Sequence, residues 1–336
     1  MSSSVASGKP ASGEDSLIAR YFKPLATDPG AFELGDDAAV LKAHGDDVVV
    51  TTDAIIEGVH FLPDDPPDTI ARKALRTNLS DLAAKGAIPA GFVLTLALRA
   101  ADAHWLDPFA RALGEDAKSF GCPLLGGDTV STPGPVTISI TAFGRVPEGK
   151  MVRRSGAKPG DRIMVSGTIG DAALGLDFLK NGPVAKALAG DPEASEALIA
   201  RYRIPQPRNA LATALRDHAN GAMDVSDGLA GDLVKLCAAS GVTAVIDTPS
   251  IPTSATAAGL LSRGTVGIAT LIAGGDDYEI LCTVPEAKAD AFIEAARQAG
   301  VAVTDIGTIM AGEGAPRFLD REGKELALTR LSYSHF

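Results

Sequence analysis

The sequence lacks the usual signs of secretion and of membrane insertion. Its three cysteines are far apart, so neither a CxxC site nor a disulfide framework is indicated. The strongest apolar run, residues 91–98, is much shorter than the ~20 residues that cross a bilayer. The first ten residues are polar and contain no apolar signal segment. We therefore expect a protein of the reducing cytoplasm with no membrane partner, and a disordered tail at residues 1–13.

Several common catalytic motifs are also missing. There is no G-x-x-x-x-G-K-[ST] phosphate loop, and no dinucleotide-binding G-x-G-x-x-G follows the first predicted strand. A G-x-S-x-G nucleophile elbow is absent, and the five histidines lack the spacing of zinc ligands. The net charge is −11 and the basic residues are scattered, which argues against nucleic acid as a partner.

The composition is that of an ordinary globular protein with two domains. Hydrophobic residues make up 46% of the chain and charged residues 22%, which supplies ample core material. Predicted strands alternate with predicted helices in both halves, so we expect an α/β (α+β) fold. Two turn-rich stretches, residues 147–150 and 158–161, place a domain boundary near residue 150. The predicted domains are residues 14–150 and 151–336, and residues 183–207 look like an insertion without a chemical signal.

A predicted strand at residues 48–53 ends in oxygen-bearing side chains. Val48–Val50 form a β-branched run, and Thr51, Thr52 and Asp53 come directly after this run. Hydroxyl and carboxylate oxygens are the ligands that Mg²⁺ prefers. Asp81 falls late in a predicted helix that begins near Asp68, where its charge opposes the helix dipole. Asp81 therefore needs a partner: it is either a metal ligand or a solvated surface residue.

Further acidic clusters accompany later predicted strands. They contain Asp128 after two glycines, Asp224 and Asp227 around Ser226, and the pair Asp276-Asp277. Several carboxylates at one site would hold several divalent ions, and several ions suggest a polyphosphate substrate. Ser226 is also predicted to cap a helix whose free N–H groups can meet an anion. Capping alone explains a serine there, and general solubility explains much of the acidic charge.

Taken in order, the motifs resemble those of thiamine-monophosphate kinases, which belong to the PurM-like superfamily. The matching stretches are residues 35–38 (GDDA), 51–53 (TTD), 60–61 (HF), 78–84 (NLSDLAA), 126–129 (GGDT), 154–161 (RSGAKPGD), 224–229 (DVSDGL) and 274–279 (GGDDYE). Each is weak alone, but the ordered set is specific. Two places depart from the family pattern: Asp276 replaces a commoner glutamate, and the C-terminal tail differs.

The resemblance implies a division of the site residues by ligand. The implied Mg²⁺ ligands are Asp37, Thr51, Thr52, Asp53, Asp81, Asp128, Asp224 and Asp227. The implied ATP contacts are Gly127, Asp128, Arg154 and Ser226, and the implied contacts to thiamine monophosphate are His60, Glu279 and Tyr333. Two alternatives stay open, since Arg154 could be ordinary surface charge and Glu279 could simply pair with a nearby arginine.

The resemblance also implies an assembly and a reaction. The mixed sheets of two N-terminal domains would pair into a barrel in a homodimer, and the C-terminal α/β domain would cover the bound ATP. Phosphoryl transfer from ATP to thiamine monophosphate would be direct and in line, with Mg²⁺ held by Asp53, Asp81, Asp128 and Asp227 neutralising charge. The alternatives are another ATP-dependent enzyme of the superfamily, a metal-dependent phosphohydrolase or a non-catalytic nucleotide sensor.

Overall fold

The computed structural model describes residues 16–34, 41–328 and 331. The predicted disordered tail, the motif at residues 35–38 with Asp37, and the predicted substrate contact Tyr333 lie outside the described residues.

The N-terminal part is a four-stranded mixed sheet covered on one face by two helices. The strands are β1 (Asp47–Ile56), β2 (Ile88–Leu98), β3 (Leu124–Ser131) and β4 (Thr137–Val146), and the helices are α1 (Pro67–Ala84) and α2 (Ala103–Ser119). The strand order is β1-β4-β2-β3, with β2 and β3 parallel and the other pairs antiparallel. Within the described residues this sheet is not closed into a barrel, because β1 and β3 are its two edges.

Alternation along the strands decides which face the helices cover. On β4, Ile138, Ile140 and Ala142 are buried and pack into a core shared with both helices. No described element covers the opposite face, although it carries large apolar side chains at Val48, Val50, Ile88 and Val130.

The C-terminal part is a six-stranded sheet with helices on both faces. Its strands are β5 (Arg162–Ser166), β6 (Gly221–Val225), β7 (Thr243–Asp247), β8 (Glu279–Val284), β9 (Val303–Met310) and β10 (Arg317–Leu319), in the order β10-β7-β9-β5-β8-β6. Its helices are α3 (Asp171–Leu179), α4 (Pro183–Ala187), α5 (Pro192–Arg203), α6 (Ala212–His218), α7 (Leu229–Ser240), α8 (Ala255–Ser262), α9 (Ile268–Ile272) and α10 (Ala289–Gln298). Short 3-10 or π turns lie at Ile18–Phe22, Lys23–Leu25, Pro29–Leu34, Asn209–Leu211, Thr248–Ser250 and Glu286–Lys288.

The end of α1 joins the two parts of the molecule. Helix α7 packs on one face of the C-terminal sheet, and helices α6 and α10 pack on the other. Ala83 and Ala84, in the last turn of α1, are fully buried in this second cluster. This packing places the acidic end of α1 beside strand β6, so the predicted motifs of the two halves meet. The predicted boundary near residue 150 falls in the connection between β4 and β5.

Local details place two of the predicted motifs. Helix α1 begins after Pro66, close to the predicted start near Asp68. Residues 126–129 belong to strand β3, because the sheet continues through both glycines. Gly127 is required there, since a Cβ would lie 2.0 Å from the carbonyl oxygen of Leu94. Among the described residues, no helix is both long and apolar enough to cross a membrane.

Candidate functional site

Asp81 finds its partners on strand β1. Thr51 and Asp53 are two residues apart on β1, so both side chains point towards α1. The hydroxyl of Thr51 donates a hydrogen bond to Asp81 Oδ2 at 2.5 Å, and the carboxyl groups of Asp53 and Asp81 are hydrogen-bonded to each other. This contact compensates for the position of Asp81 at the end of a helix.

The two carboxyl groups hold a proton more tightly than isolated aspartates do. The pKa of Asp53 is raised to about 6, chiefly because the protein displaces water from around it, and then by repulsion from Asp81 and Asp227. Asp53 still keeps a solvent-accessible side. Burial also raises the pKa of Asp81, while the hydrogen bond from Thr51 and the charge of Lys85 oppose the shift. Paired carboxyl groups of this kind are ready to exchange a shared proton for a cation.

Asp224 lies beside this pair, at the end of strand β6. Ser80 of α1 donates a hydrogen bond to Asp224 Oδ2 at 2.8 Å across the junction of the two parts. Burial raises the pKa of Asp224 well above its ordinary value, and repulsion from Asp81 adds to this. Lys85 is the cation that faces these groups: its Nζ donates to the carbonyl of Ala222 at 2.7 Å. Burial lowers the pKa of Lys85, and the carboxylate of Asp224 opposes that shift.

Ser226 does not cap a helix as predicted. Helix α7 starts at Leu229, and the N–H groups of Ser226 and Asp227 both donate to Asp232 Oδ2 at 3.0 Å. Asp232 therefore occupies the donors that were expected to meet an anion. Asp227 forms a 2.5 Å ion pair with Lys235, which also reaches Asp232.

The predicted metal ligands fit Mg²⁺ by chemistry. In the parts of the chain that the structure describes, no group of three or more acidic, histidine or cysteine side chains is arranged as a metal site. The donors gathered around Asp53 and Asp81 are nevertheless all oxygens, including the hydroxyl of Thr51, and hard divalent cations select such donors. The hydrogen-bonded pair of raised pKa is the place where a cation would relieve the repulsion.

Two other predicted residues, Gly127 and Asp128, lie apart from this cluster within one chain. Asp128 is aligned across the sheet with Thr95, Ser139 and Ala54, whereas Asp53 is aligned with Ile140. Alternation thus puts Asp128 on the uncovered face and on the opposite edge strand from Asp53. Gly127 precedes it on that edge.

Thr52 and Arg154 are two further predicted site residues near the carboxylate pair. Thr52 also faces away from α1, and its hydroxyl accepts a hydrogen bond from Thr141 at 3.0 Å. Arg154 is exposed in the connection after β4, where its charge lowers the pKa of Asp81 and of Lys85.

A pocket opens between the two parts of the molecule, next to the carboxylates. Its volume is about 310 Å³, within the range of small-ligand sites. The lining combines polar, aromatic and apolar side chains, and comprises Asp53, Ala54, Ile55, Val59, His60, Thr77, Ala172, Ala173, Leu176, Tyr202, Ser226, Asp227, Ala273, Gly274, Gly275, Asp276 and Tyr278. His60 is oriented because its Nδ1 accepts the N–H of Ile56 at 3.1 Å. A neutral His60 with this bond carries its proton on Nε2.

Glu279 is fully buried behind the pocket and does not line it. Its carboxylate accepts hydrogen bonds from Ser166 Oγ at 2.5 Å and from Arg201 at 2.9 Å. Arg208 holds both of its oxygens. This geometry matches the alternative in which Glu279 pairs with arginine, and contact with a substrate stays a prediction.

The segment 183–207 contributes to the site, so the prediction that it carries no chemical signal is wrong. The end of helix α5 has three consecutive residues with separate contacts. Arg201 binds Glu279, Tyr202 lines the pocket, and Arg203 pairs with Asp65 at 2.6 Å. The run Arg-Tyr-Arg before a proline was the available sequence signal.

Comparisons with known proteins identify the family. The model of the AIR synthase related N-terminal domain matches residues 35–146, and that of the C-terminal domain matches residues 158–318. A thiamine-monophosphate kinase of Caulobacter vibrioides is 45% identical over 324 residues, which cover 95% of this chain and 89% of the relative. The chain belongs to the thiamine-monophosphate kinase family. The resemblance inferred from the motifs is therefore confirmed.

Solved structures of thiamine-monophosphate kinases share the fold. The enzyme from Stenotrophomonas maltophilia K279a superposes with a TM-score of 0.81 at 37% identity, covering 93% of this chain and 96% of that one. A ThiL structure, AaThiL, was solved with AMPPCP and TMP; it gives a TM-score of 0.75 at 29% identity over 90% and 91% of the two chains. The PurM-like two-domain α/β fold with mixed sheets is confirmed by these matches.

Proposed function

We propose that this enzyme transfers the γ-phosphoryl group of ATP to the phosphate of thiamine monophosphate, giving thiamine diphosphate and ADP. Near-full-length relatives carry the name of this activity, and a solved relative was captured with AMPPCP and TMP. The observation in this chain that carries the proposal is the carboxyl pair Asp53–Asp81, of which Asp53 lines a ligand-sized pocket.

The carboxylates serve to gather positive charge around the phosphates. Asp53, Asp81 and Thr51 would hold Mg²⁺ together, and Asp224 and Asp227 lie next to them on the C-terminal side. Bound Mg²⁺ supplies neutralisation of the phosphate charge, which is the main requirement of phosphoryl transfer. Asp37 and Asp128 remain predicted ligands of the same kind.

The remaining ATP contacts of the proposal are Gly127, Arg154 and Ser226. Arg154 is close enough to Asp81 for their charges to interact, so its guanidinium can reach a phosphate held by the carboxylate pair. Ser226 lines the pocket beside Asp227.

The pocket offers both polar and aromatic groups to an acceptor that has a phosphate and flat rings. His60, Asp53 and Asp227 line it, and His60 can donate a hydrogen bond to a phosphate oxygen. Tyr202, Tyr278 and Leu176 also line it, and such side chains pack well against flat heterocyclic rings. Tyr333 remains a predicted contact of the rings.

The geometry favours direct transfer without a covalent enzyme intermediate. None of the three thiols lines the pocket, and all three are buried. Burial raises the pKa of Cys122 to about 12, so it is not a thiolate at neutral pH. A phosphate monoester is already ionised, so the attacking oxygen needs positioning more than it needs a base. Free thiols also agree with the cytoplasm as the proposed compartment.

A homodimer would cover the bare face of the N-terminal sheet. Val50 is 57% exposed and Ile88 is 54% exposed on that face, and neither has a partner element in the described chain. Pairing two such faces buries these side chains and lets two four-stranded sheets close into the predicted barrel. Asp128 lies at the edge of the same face, so its predicted part in the site depends on how two subunits pair.

Product analysis tests the reaction. Purified protein is incubated with ATP, Mg²⁺ and thiamine monophosphate, and the products are identified by mass spectrometry. We expect equal amounts of thiamine diphosphate and ADP, and much slower conversion of free thiamine. Orthophosphate as the only product, with or without acceptor, would instead identify a phosphohydrolase.

A further inference from the structure

Lys73 is a buried cation that the mechanism above does not use. It lies on helix α1 with 2% of its side chain exposed. Its Nζ donates hydrogen bonds to the carbonyl oxygen of His60 at 2.8 Å and to Asp276 Oδ2 at 3.0 Å. The same atom lies 3.9 Å from the centre of the Tyr202 ring, a cation–π distance. Every face of the ammonium group therefore meets a favourable partner.

The three partners of Lys73 come from three different elements. His60 follows strand β1, Tyr202 ends helix α5, and Asp276 lies in the loop before β8. All three line the pocket, whereas Lys73 itself does not. The hydroxyl of Tyr202 adds a 3.4 Å hydrogen bond to the carbonyl of His60. Lys73 thus lies behind the pocket wall and connects these three elements through one ammonium group.

The ammonium group also balances a charge that would oppose the acceptor. The side chain of Asp276 is 26% exposed, and it faces the pocket that a phosphate monoester must enter. The backbone of Asp276 has a left-handed φ of +70° and is held by its N–H, which donates to the carbonyl of Ser226 at 2.8 Å. An unpaired carboxylate fixed at this place would repel a dianionic phosphate.

We propose that Lys73 is a positioning residue of the acceptor pocket, which neutralises Asp276 and holds His60 and Tyr202 in the wall from behind. It acts through these residues and does not touch the substrate. The inference rests on the proposed function, because it takes the acceptor to be a phosphate monoester.

The Lys73→Met variant keeps the length and apolar stem of the side chain but removes the charge. We expect its KM for thiamine monophosphate to rise at least tenfold, with the KM for ATP changing less than about twofold. Adding Asp276→Asn to this variant removes the unpaired carboxylate and should recover most of the lost affinity. If Lys73 had only a structural role, removing the charge of Asp276 as well would not restore the affinity for thiamine monophosphate.

Arg72→Met is the matched control on the neighbouring position of the same helix. Arg72 forms ion pairs with Glu115 and Asp116 of α2, on the side away from the pocket. Its loss removes two ion pairs, whereas the loss of Lys73 removes one ion pair and a cation–π contact, so thermal stability should fall in both variants. In Arg72→Met, unlike in Lys73→Met, the KM values for thiamine monophosphate and for ATP should both stay at the wild-type level.

Asp276→Asn alone keeps the test decisive if Lys73→Met does not fold. With Lys73 present, this variant should show an unchanged or lower KM for thiamine monophosphate, because it leaves an unbalanced ammonium behind the wall. A tenfold rise instead would make Asp276 a direct contact of the substrate and overturn the role of Lys73. An equal rise of both KM values in Lys73→Met, or no rise, would overturn it as well.

Wild-type turnover separates this inference from the proposed function. Failure of the wild-type protein to make thiamine diphosphate would refute the reaction and leave the variants to be compared by binding. Calorimetric titration of each folded variant with thiamine monophosphate measures the same tenfold loss and its rescue without turnover. Wild-type affinity in Lys73→Met would refute the role of Lys73 even if the reaction is correct.

Discussion

Removing the carboxylate of Glu279 should destabilise the protein before it affects catalysis. The side chain has no exposed surface and holds two arginines, Arg201 from helix α5 and Arg208 after it. Glu279→Ala leaves both guanidinium groups and the hydroxyl of Ser166 without their acceptor. Since Tyr202 follows Arg201 directly, the pocket wall should loosen as a second effect.

The magnitude follows from the burial of the three charges. Removing one partner of a buried ion pair costs roughly 3–5 kcal/mol. The side chains of Arg201 and Arg208 are 17% and 24% exposed, so water recovers part of their solvation. We therefore expect Glu279→Ala to lose about 3 kcal/mol of unfolding free energy, at the lower end of that range. Glu279→Gln keeps an acceptor oxygen and should lose about 2 kcal/mol.

Urea unfolding of both variants measures this loss, with Glu294→Ala as the control. Glu294 pairs with Arg297 at 2.7 Å on an exposed helix face, and its removal should leave the unfolding midpoint unchanged. The reasoning is refuted if Glu279→Gln unfolds like the wild type while its KM for thiamine monophosphate alone increases. That result would place Glu279 in contact with the acceptor, as the family resemblance implies.

Four further variants test the metal cluster, the acceptor side and the uncovered sheet face. Asp53→Asn and Asp81→Asn should each keep the fold but lose several kcal/mol of transition-state stabilisation at saturating Mg²⁺. A near-normal kcat in both variants would contradict their role as metal ligands. His60→Ala should raise the KM for thiamine monophosphate far more than that for ATP. The reverse result in steady-state kinetics would show that the positions of the two ligands were assigned the wrong way round. Val50→Asp should give monomers in sedimentation experiments. A monomeric wild-type protein would refute the proposed dimer.

The predictions that agree with the structure are those that depend on a single residue or a short segment of sequence. The β-branched run Val48–Val50 lies in strand β1, as its strand propensity indicated. The contact between Asp53 and Asp81 also agreed with the expectation that Asp81 needs a partner. In each case a property of one residue or one short segment was sufficient.

The residues that the sequence did not reveal depend on pairing between distant segments. Lys73 reads as an ordinary helix residue, and its role arises because residues 13 positions before it and 203 positions after it meet its ammonium group. Asp232 accepts the N–H groups of Ser226 and Asp227, and nothing in the local sequence marks it as their acceptor. The distance of Asp128 from Asp53 follows from strand order, which local periodicity does not determine.

The transfer of one phosphoryl group from ATP to an existing phosphate is most directly measured with ATP labelled by ¹⁸O on its γ-phosphate. We expect the label in the terminal phosphate of thiamine diphosphate, with one labelled product for each ADP formed. Direct in-line transfer further predicts inversion of configuration when the γ-phosphorus is made chiral. Label recovered only in orthophosphate, or retention of configuration, would contradict the direct transfer that the pocket and its carboxylates support.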